Sequence, residues 1–490
     1  MKSRIFYLTL LILALLVFSC DDELSGLLNT NYETRTFYAR DFRNVNHYQL
    51  EAELMIEGTY CNVWVERGSG VNVSAARRLA NAYDYTIYPR MMEAFVIRRN
   101  FTDGVDIIAR DTMELADWMG DGDGKLAILV LNIRDGHQPG VNDTLVAGYF
   151  WPGNLYSNDP RDLYLRFSNE SDMIYINGNR LAPTLGSPES NATLAHELQH
   201  LMNFVTSFVF RESPMDTWID EGLSMSAEWV VTGAQIGNYA SWYNHDPSGL
   251  IQKGNNFFIW DNHRSNNLAI IDDYATAYLF FQWLRLQAGS SGIYFNIMAS
   301  NYSDYMAVTT VMNRILPGRR YDDWGTLLRT WFAANYVNAP SGQFGYMDDG
   351  VLRNIKASTM PGGTTSINLA PGEGVYSVTN SNFSMPRNGG NIRYAGLSTG
   401  SPWLSDSAVF SGGALLSYNI NTDTWGRAES GSISGISSSV DSTPDEISRQ
   451  APVFPGPFAI SAGDMLRRHG HQEEGSFIST RARIGIIGDE

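Results

Sequence analysis

The sequence predicts an α+β protein: a mixed sheet with a helix packed on it, then a helical region, then a β-rich module. Three observations predict this order. Between residues 36 and 186, several segments alternate apolar and polar residues as half-buried strands do. From 187 to 340 the apolar residues take helical spacing. From 341 to 490, glycine, serine, threonine and asparagine separate short strand-like segments.

The composition is that of a globular protein. The chain has 490 residues, of which 43% are hydrophobic and 12% aromatic, so it is long enough for several domains and a sizeable core. Its formal net charge of -17 argues against nucleic-acid binding, because phosphates would be repelled.

The first residues indicate export. "MKSR" is basic, and "IFYLTLLILALLVFS" is an apolar run too short to span a bilayer comfortably. The run ends in "VFSC", which resembles a bacterial lipobox. That resemblance implies a signal peptide over 1–20 and a lipid on Cys20, which would anchor the protein to a membrane outside the cytoplasm. An ordinary cleaved signal is the alternative. Residues 21–35 are polar and predict a tether.

The elements follow in order along the chain. Strands are predicted for "YQLEAELMIEG", "YCNVWVERG", "KLAILVLNI" and "DMIYING", and a helix for "VSAARRLANAYDYTIYPRMMEAF". Cys61 lies in the second strand and is expected to be a small buried hydrophobe. Ser187 and Pro188 suit the start of a helix, and "ATAYLFFQWLRLQ" and "WGTLLRTWFAANYV" predict further helices. In the last module, "GVYSVTN" and "ARIGIIG" are strand-like, and "SGSISGISSSVDS" suggests a disordered insert.

The segment "TLAHELQHLMNF" carries the clearest chemistry. His196 and His200 are one helical turn apart, so both imidazoles can face one point. Glu197 projects close to the same point, which suits a base acting on metal-bound water rather than a ligand. The apolar neighbours would bury this helix, and a shared metal would remove the cost of burying these groups unpaired. The alternative is a buried helix with polar residues along one side.

A third ligand is predicted in "TWIDEGLSMSAEWV". Glu221 follows His200 at a distance that allows a loop and the return of an antiparallel helix. It would complete a ligand set with the fourth position open. A solvated carboxylate at a helix start is an equal alternative on position alone. Glu228 lies near the same helical face and could hydrogen-bond a ligating histidine.

Together these segments resemble the gluzincin superfamily of zinc peptidases. Its aminopeptidase branch carries a W-L-N-E-G-F-A stretch whose glutamate aligns with Glu221, and the fuller run resembles hyicolysin-type metallopeptidases more closely. The resemblance covers about 190–285, is plausible over the preceding strands and is absent after 340. It implies that His196, His200 and Glu221 bind zinc and that Glu197 is the general base.

The same resemblance implies an oxyanion donor. "DDYATAYLFFQWL" is similar to the Y-x-K-G-A helix of the aminopeptidase branch, whose leading tyrosine corresponds to Tyr274. Tyr278, His245 and His263 are competitors. The G-x-M-E-N segment that holds a substrate's free amine in that branch has no counterpart on "DMIYING", so an enzyme that cuts inside chains is expected.

The predicted function is therefore a membrane-anchored, extracytoplasmic zinc endopeptidase, a monomer that acts on protein or peptide. A surface adhesin or binding lipoprotein on an inactive peptidase scaffold is the alternative, and a zinc hydrolase of other substrates is a further one. Asp121 and Asp123 in "GDGDGK" could hold calcium, but a tight turn is favoured. His469 and His471 could chelate a metal, although exposed loop histidines are the simpler interpretation.

Overall fold

The predicted α+β class is confirmed. A mixed sheet forms the N-terminal part, helices follow it, and an antiparallel sheet lies toward the C-terminus. The computed structural model describes residues 32–95, 121–137, 146–209, 211–235, 238–254, 257–260, 269–361, 366–423, 431–434 and 458–460. Within these ranges, no helix combines the length and apolar character needed to cross a membrane.

The first sheet has seven strands in the order β1-β2-β3-β4-β6-β5-β13. Strands β3, β4 and β6 are parallel to one another, while β1, β2 and β5 each run antiparallel to a neighbour. The strands are β1 (Thr34–Asp41), β2 (Asn46–Glu57), β3 (Cys61–Glu66), β4 (Leu126–Leu131), β5 (Val146–Phe150), β6 (Met173–Asn177) and β13 (Phe458–Ile460). The central strand β4 is buried along its whole length, which explains its unbroken apolar sequence.

The predicted tether is shorter than expected. Thr34 and Arg35, which we placed in the tether, pair with Glu53 and Ala52 as the first residues of β1. Backbone pairing with β2 outweighs the polar composition that suggested a flexible segment, because ladder hydrogen bonds do not require apolar side chains.

Helices pack on one face of this sheet and on one another. Those in the described ranges are α1 (Val73–Ala82), α2 (Tyr88–Phe95), α3 (Gly178–Leu181), α4 (Pro188–Asn203), α5 (Thr217–Thr232), α6 (Tyr239–His245), α7 (Ala269–Ala288), α8 (Gly292–Met298), α9 (Tyr305–Ile315) and α10 (Trp324–Val337). The predicted helix after β3 is divided into α1 and α2 by a π-helical turn, Tyr83–Ile87. Ser187 is the N-cap residue of α4, but its hydroxyl donates to Glu189 rather than capping a backbone N–H.

One continuous core joins the sheet to the helices, and it reaches into the C-terminal sheet. A second, smaller cluster covers the opposite face of the first sheet, with Phe37, Trp64 and Tyr149 among its members. Helix α4 is buried from Ala192 to Asn203, because it lies between the sheet and α5. The histidines of this helix therefore sit in the interior of the protein.

The C-terminal part contains a four-stranded antiparallel sheet, β10-β9-β11-β8, and a separate pair, β12-β7. These strands are β7 (Ser366–Leu369), β8 (Gly374–Ser384), β9 (Ile392–Leu397), β10 (Leu404–Ser405), β11 (Val409–Asn419) and β12 (Gly431–Ser434). The four-stranded sheet packs on α10, where the Tyr376 hydroxyl donates to the Phe332 carbonyl at 2.9 Å.

Two features of the C-terminal part differ from the sequence prediction. Strand β12 lies inside the serine-rich segment that we expected to be disordered, so that prediction is wrong for its four residues. Main-chain pairing with β7 holds them, and composition does not reveal such pairing. Strand β13 leaves the module and joins the first sheet beside β5. The segment "ARIGIIG" lies outside the described residues.

Candidate metal centre

Helix α4 supplies the two histidines. His196 and His200 lie one turn apart on the same face, and their ring centroids are 4.8 Å apart. Their exposed fractions are only 2% and 1%. Both imidazoles therefore need a hydrogen-bond or metal partner, because burying a polar group without one costs free energy.

Helix α5 supplies the carboxylate. It packs along α4 and ends at Gly233, whose φ of +69° is the left-handed conformation that closes many helices. Glu221 is fully buried in its second turn. Gly222 beside it has a packing role, since an added Cβ would lie 2.2 Å from Cε2 of Phe281. The glycine of the "DEG" motif therefore lets α5 and α7 approach closely.

The three side chains converge. Oε2 of Glu221 lies 3.4 Å from Nε2 of His196 and 3.7 Å from Nε2 of His200. Ligand atoms from all three lie within 4.8 Å of one another. Tetrahedral zinc with bonds near 2.1 Å separates its ligands by about 3.4 Å, so these distances are close to those of such a set.

The converging atoms are also unpaired. Nε2 of His196, Nε2 of His200 and Oε2 of Glu221 are buried and have no hydrogen-bond partner. Buried polar atoms normally have one, so three orphaned atoms that face each other need another explanation. A cation explains all three at once. The buried group His196, His200 and Glu221 could therefore hold a metal ion.

The remaining nitrogen of each imidazole faces a carboxylate. Nδ1 of His196 donates to Oε1 of Glu228 at 2.8 Å, and Nδ1 of His200 donates to Oδ2 of Asp220 at 3.0 Å. Because a carboxylate only accepts, each contact places the proton on Nδ1 and leaves the Nε2 lone pair free for a metal. Glu228 thus lies where the sequence predicted a partner for a ligating histidine.

Sequence reasoning missed Asp220. Besides His200, it accepts from Nδ2 of Asn203 at 2.6 Å, and the Ser224 hydroxyl lies 3.1 Å from the same imidazole nitrogen. Residues 220 and 224 are one turn apart and share a helical face, but nothing in that spacing shows that this face lies against His200.

The electrostatics of the centre favour a cation. Burial alone would lower the pKa of His196, but the carboxylates of Glu221 and Glu228 beside its imidazole raise it to about 10. The pKa of His200 is also raised, since Asp220 and Glu221 outweigh burial.

Glu197 lies beside the three converging atoms but makes different contacts. It is fully buried, and neither of its carboxylate oxygens has a hydrogen-bond partner of normal geometry. Burial raises its pKa to about 7, opposed by the charges of His196 and His200 and by the backbone N–H of Phe150. A Cβ added to Gly148 of β5 would lie 3.3 Å from Cγ of Glu197, so one face of β5 packs directly against the Glu197 side chain.

The predicted oxyanion donor lies at the same centre. Tyr274 on α7 is buried, and its hydroxyl donates to Oε1 of Glu221 at 3.2 Å. Of its competitors, Tyr278 packs against Tyr239, and His245 is exposed at the end of α6, where it contacts the Ser241 carbonyl. His263 lies outside the described residues.

The other candidate residues lie elsewhere. Cys61 is buried without a disulfide partner, as a small hydrophobe would be, and burial raises the pKa of its thiol. Asp121 and Asp123 approach Asp172 at the surface, where Asp123 accepts from the Lys125 backbone N–H in a turn. Cys20, His469 and His471 lie outside the described residues.

Comparison with known proteins adds no relative: no protein-family model matches the chain, and no curated protein matches it in sequence. The motifs and the geometry of the centre are therefore the observations that bear on function.

Proposed function

We propose that this protein is a zinc-dependent endopeptidase that hydrolyses peptide bonds outside the cytoplasm. One observation carries the proposal: the unpaired Nε2 atoms of His196 and His200 and the Oε2 atom of Glu221 converge beside the unpaired carboxylate of Glu197. Two imidazoles, one carboxylate and an adjacent base form the donor set of a catalytic zinc site with an open position. The resemblance to gluzincin peptidases agrees with this donor set.

The zinc, when bound, would supply Lewis-acid activation of water and of the scissile carbonyl. The chain supplies the proton transfers. Glu197 takes a proton from the attacking water at a carboxylate oxygen and delivers it to the leaving nitrogen as the C–N bond breaks. Water is thereby divided between the new carboxyl group and the new amine.

Two further contacts prepare the site. Glu228 and Asp220 fix the tautomers and orientations of His196 and His200, so both Nε2 atoms face the same point before a metal arrives. The Tyr274 hydroxyl, beside Glu221, is the donor that we assign to the developing negative charge on the carbonyl oxygen. That charge exists mainly in the transition state, so this hydrogen bond would act on turnover more than on binding.

Glu197→Gln tests the function. Glutamine has nearly the same size as glutamate but cannot act as a base. Because its amide is neutral, burying it costs less free energy than burying a carboxylate. Zinc content and thermal stability should be retained, while turnover of an internally quenched peptide falls by about 10²- to 10⁴-fold. The peptide is blocked at both ends, so cleavage also separates an endopeptidase from an aminopeptidase.

Glu189→Gln is the matched control, since Glu189 is an exposed carboxylate on the same helix. It should cleave as the wild type does. Equal cleavage by wild type and Glu197→Gln would place the activity elsewhere. A zinc-loaded wild type that cuts nothing in a diverse peptide library would favour the binding lipoprotein.

The anchor is a separate part of the proposal and depends on the sequence "VFSC". Cys20→Ala removes the thiol that would carry the lipid. We expect the protein to move from the membrane fraction to the soluble fraction and to lose metabolic labelling with a fatty acid. Unchanged fractionation and labelling would show that Cys20 is not the anchor.

A further inference from the structure

A polar cavity lies where helix α10 meets the C-terminal sheet. Its volume is about 710 Å³, a size typical of sites for small ligands. The first two turns of α10 line it on one side, together with the segment between β8 and β9 and with residues of β9 and β11. Most of the lining residues are polar or charged, and none belongs to the metal centre.

Three arginines line this cavity, in a protein whose formal net charge is -17. Arg329 on α10 forms an ion pair with Asp406 at 2.6 Å, and its Nε atom is buried without a hydrogen-bond partner. Nη1 of Arg393 donates to two main-chain carbonyl oxygens, at 2.8 and 3.0 Å. Arg387 is exposed. Within the described part of the chain, Arg393 and Arg387 have no carboxylate partner, which favours a ligand with negative charge.

Tyr418 adds an unpaired hydroxyl to the same cavity. The residue lies on β11 and is only 4% exposed, yet its hydroxyl has no hydrogen-bond partner among the described residues. Burial raises the pKa of this hydroxyl to about 12, and the charges of Arg329 and Asp406 act on it next most strongly. The hydroxyl therefore lies among the charged groups of the cavity. Polar groups in such an environment normally have a partner, so a ligand is the expected one.

The mixture of groups favours a ligand rich in hydroxyls. A sugar hydroxyl both donates and accepts, so it can bond to guanidinium, carboxylate and phenol groups alike. Tyr394 contributes a half-buried aromatic ring, against which the apolar face of a sugar ring can pack. The arginines suit carboxylates carried on the sugar, because a guanidinium binds a carboxylate through two parallel hydrogen bonds. The side chains of an acidic peptide, by contrast, have no proton to donate to Asp323 and Asp406.

We propose that this cavity binds a short acidic oligosaccharide built from uronate sugars. Arg387 and Arg393 would bind the sugar carboxylates, and Tyr418 would share a hydrogen bond with a sugar hydroxyl. The inference goes beyond the proposed peptidase function and does not depend on it, because the cavity contains no residue of the metal centre.

Isothermal titration of the full-length protein with hexagalacturonate and with hexamannuronate tests the proposal. We expect at least one of the two to bind with a Kd below about 1 mM, and to bind equally well with and without zinc. Two control ligands are maltohexaose, a neutral hexasaccharide, and hexaglutamate, an acidic peptide. Each should bind at least about tenfold more weakly than the uronate, since each lacks one of the two kinds of group that the cavity would recognise.

Tyr418→Phe removes the unpaired hydroxyl and nothing else. The hydroxyl has no partner in the protein to lose, so the unfolding temperature should be retained while uronate affinity falls by about tenfold or more. Tyr376→Phe is the matched control. Tyr376 is a buried tyrosine on the neighbouring strand β8, and its hydroxyl donates to the Phe332 carbonyl. This variant should unfold at a lower temperature and bind the uronate as the wild type does.

Arg393→Gln should weaken binding at least as much as Tyr418→Phe, because a charge-assisted contact is lost. Failure of both uronates to bind would overturn the proposal, as would binding that neither variant changes. Equal binding of hexaglutamate would show that the cavity recognises carboxylates rather than sugars. Equal binding of maltohexaose would show that the arginines do not select an acidic ligand, and either result contradicts the proposal.

Discussion

Among the described residues, two groups of side chains bring three potential metal ligands within 4.8 Å of one another, and they differ in nearly every other respect. His196, His200 and Glu221 are buried, and the atoms that converge there lack partners. In the second group, made up of Asp121, Asp123 and Asp172, two of the three members are exposed.

The aspartate group already has partners. Asp123 accepts from Nδ2 of Asn62 and from the Lys125 backbone N–H, both at 2.7 Å. Asp121 accepts from the Ser171 hydroxyl at 2.8 Å and lies 3.9 Å from a nitrogen of Arg35. Hydrogen bonds and a nearby guanidinium therefore already engage Asp121 and Asp123, which are also open to solvent.

The contrast shows that proximity of ligand atoms is a weak criterion by itself. What distinguishes the buried group is a cost that the protein alone does not remove, since its orphaned atoms lie away from water. Glu228 and Asp220 contact the Nδ1 atoms of the two histidines, which leaves both Nε2 atoms facing the point where a cation would bind. Of the two groups, the buried one is therefore the better candidate to hold a metal ion.

The largest effect is expected from Glu221→Ala. Two imidazoles leave the ligand set incomplete, so zinc affinity should fall by more than the roughly 10- to 100-fold typical of losing an outer partner. Competition against a fluorescent chelator measures the affinity, and Glu189→Ala is the control. Stoichiometric, tightly bound zinc in Glu221→Ala would remove the main distinction between the two groups.

Asp220→Asn and Glu228→Gln should have intermediate effects. Each substitution keeps the size of the side chain. The neutral amide oxygen is, however, a weaker acceptor than a carboxylate for the Nδ1 proton of the histidine. We expect zinc affinity to fall by about 10- to 100-fold while the fold is retained. The same titration, with circular dichroism as a check on folding, measures both variants. If neither variant changes the affinity, the carboxylates behind the histidines do not orient them.

Asp123→Asn should have the smallest effect. Asparagine can still accept from the Lys125 N–H, so stability should change by less than about 1 kcal/mol, as at most surface positions. Metal content and cleavage should equal those of the wild type. Isothermal titration with calcium is the direct check, and heat of binding in the wild type that disappears in this variant would make the aspartate group a genuine site.

Local patterns predicted much of this arrangement. The spacing of His196 and His200 fixes their common face in any α-helix, and alternation marked β2 and β3 because one face of each is more buried than the other. The continuous apolar run of β4 likewise reflects burial on both faces.

The missed features depend on contacts between distant segments. Asp220 reaches His200 only because α4 and α5 pack side by side, and no local pattern specifies which way its carboxylate turns. Strand β13 is three residues long and pairs through its backbone with a strand more than three hundred positions earlier, so its short sequence carries no sign of that partner.

Anomalous diffraction from crystals grown with zinc and calcium, recorded on both sides of the zinc absorption edge, tests the central claim most directly. We predict one zinc peak per chain, about 2.1 Å from Nε2 of His196 and Nε2 of His200 and bonded to a carboxylate oxygen of Glu221. Zinc bound only at the aspartate group, or no zinc at the buried group in a fully folded protein, would contradict the account.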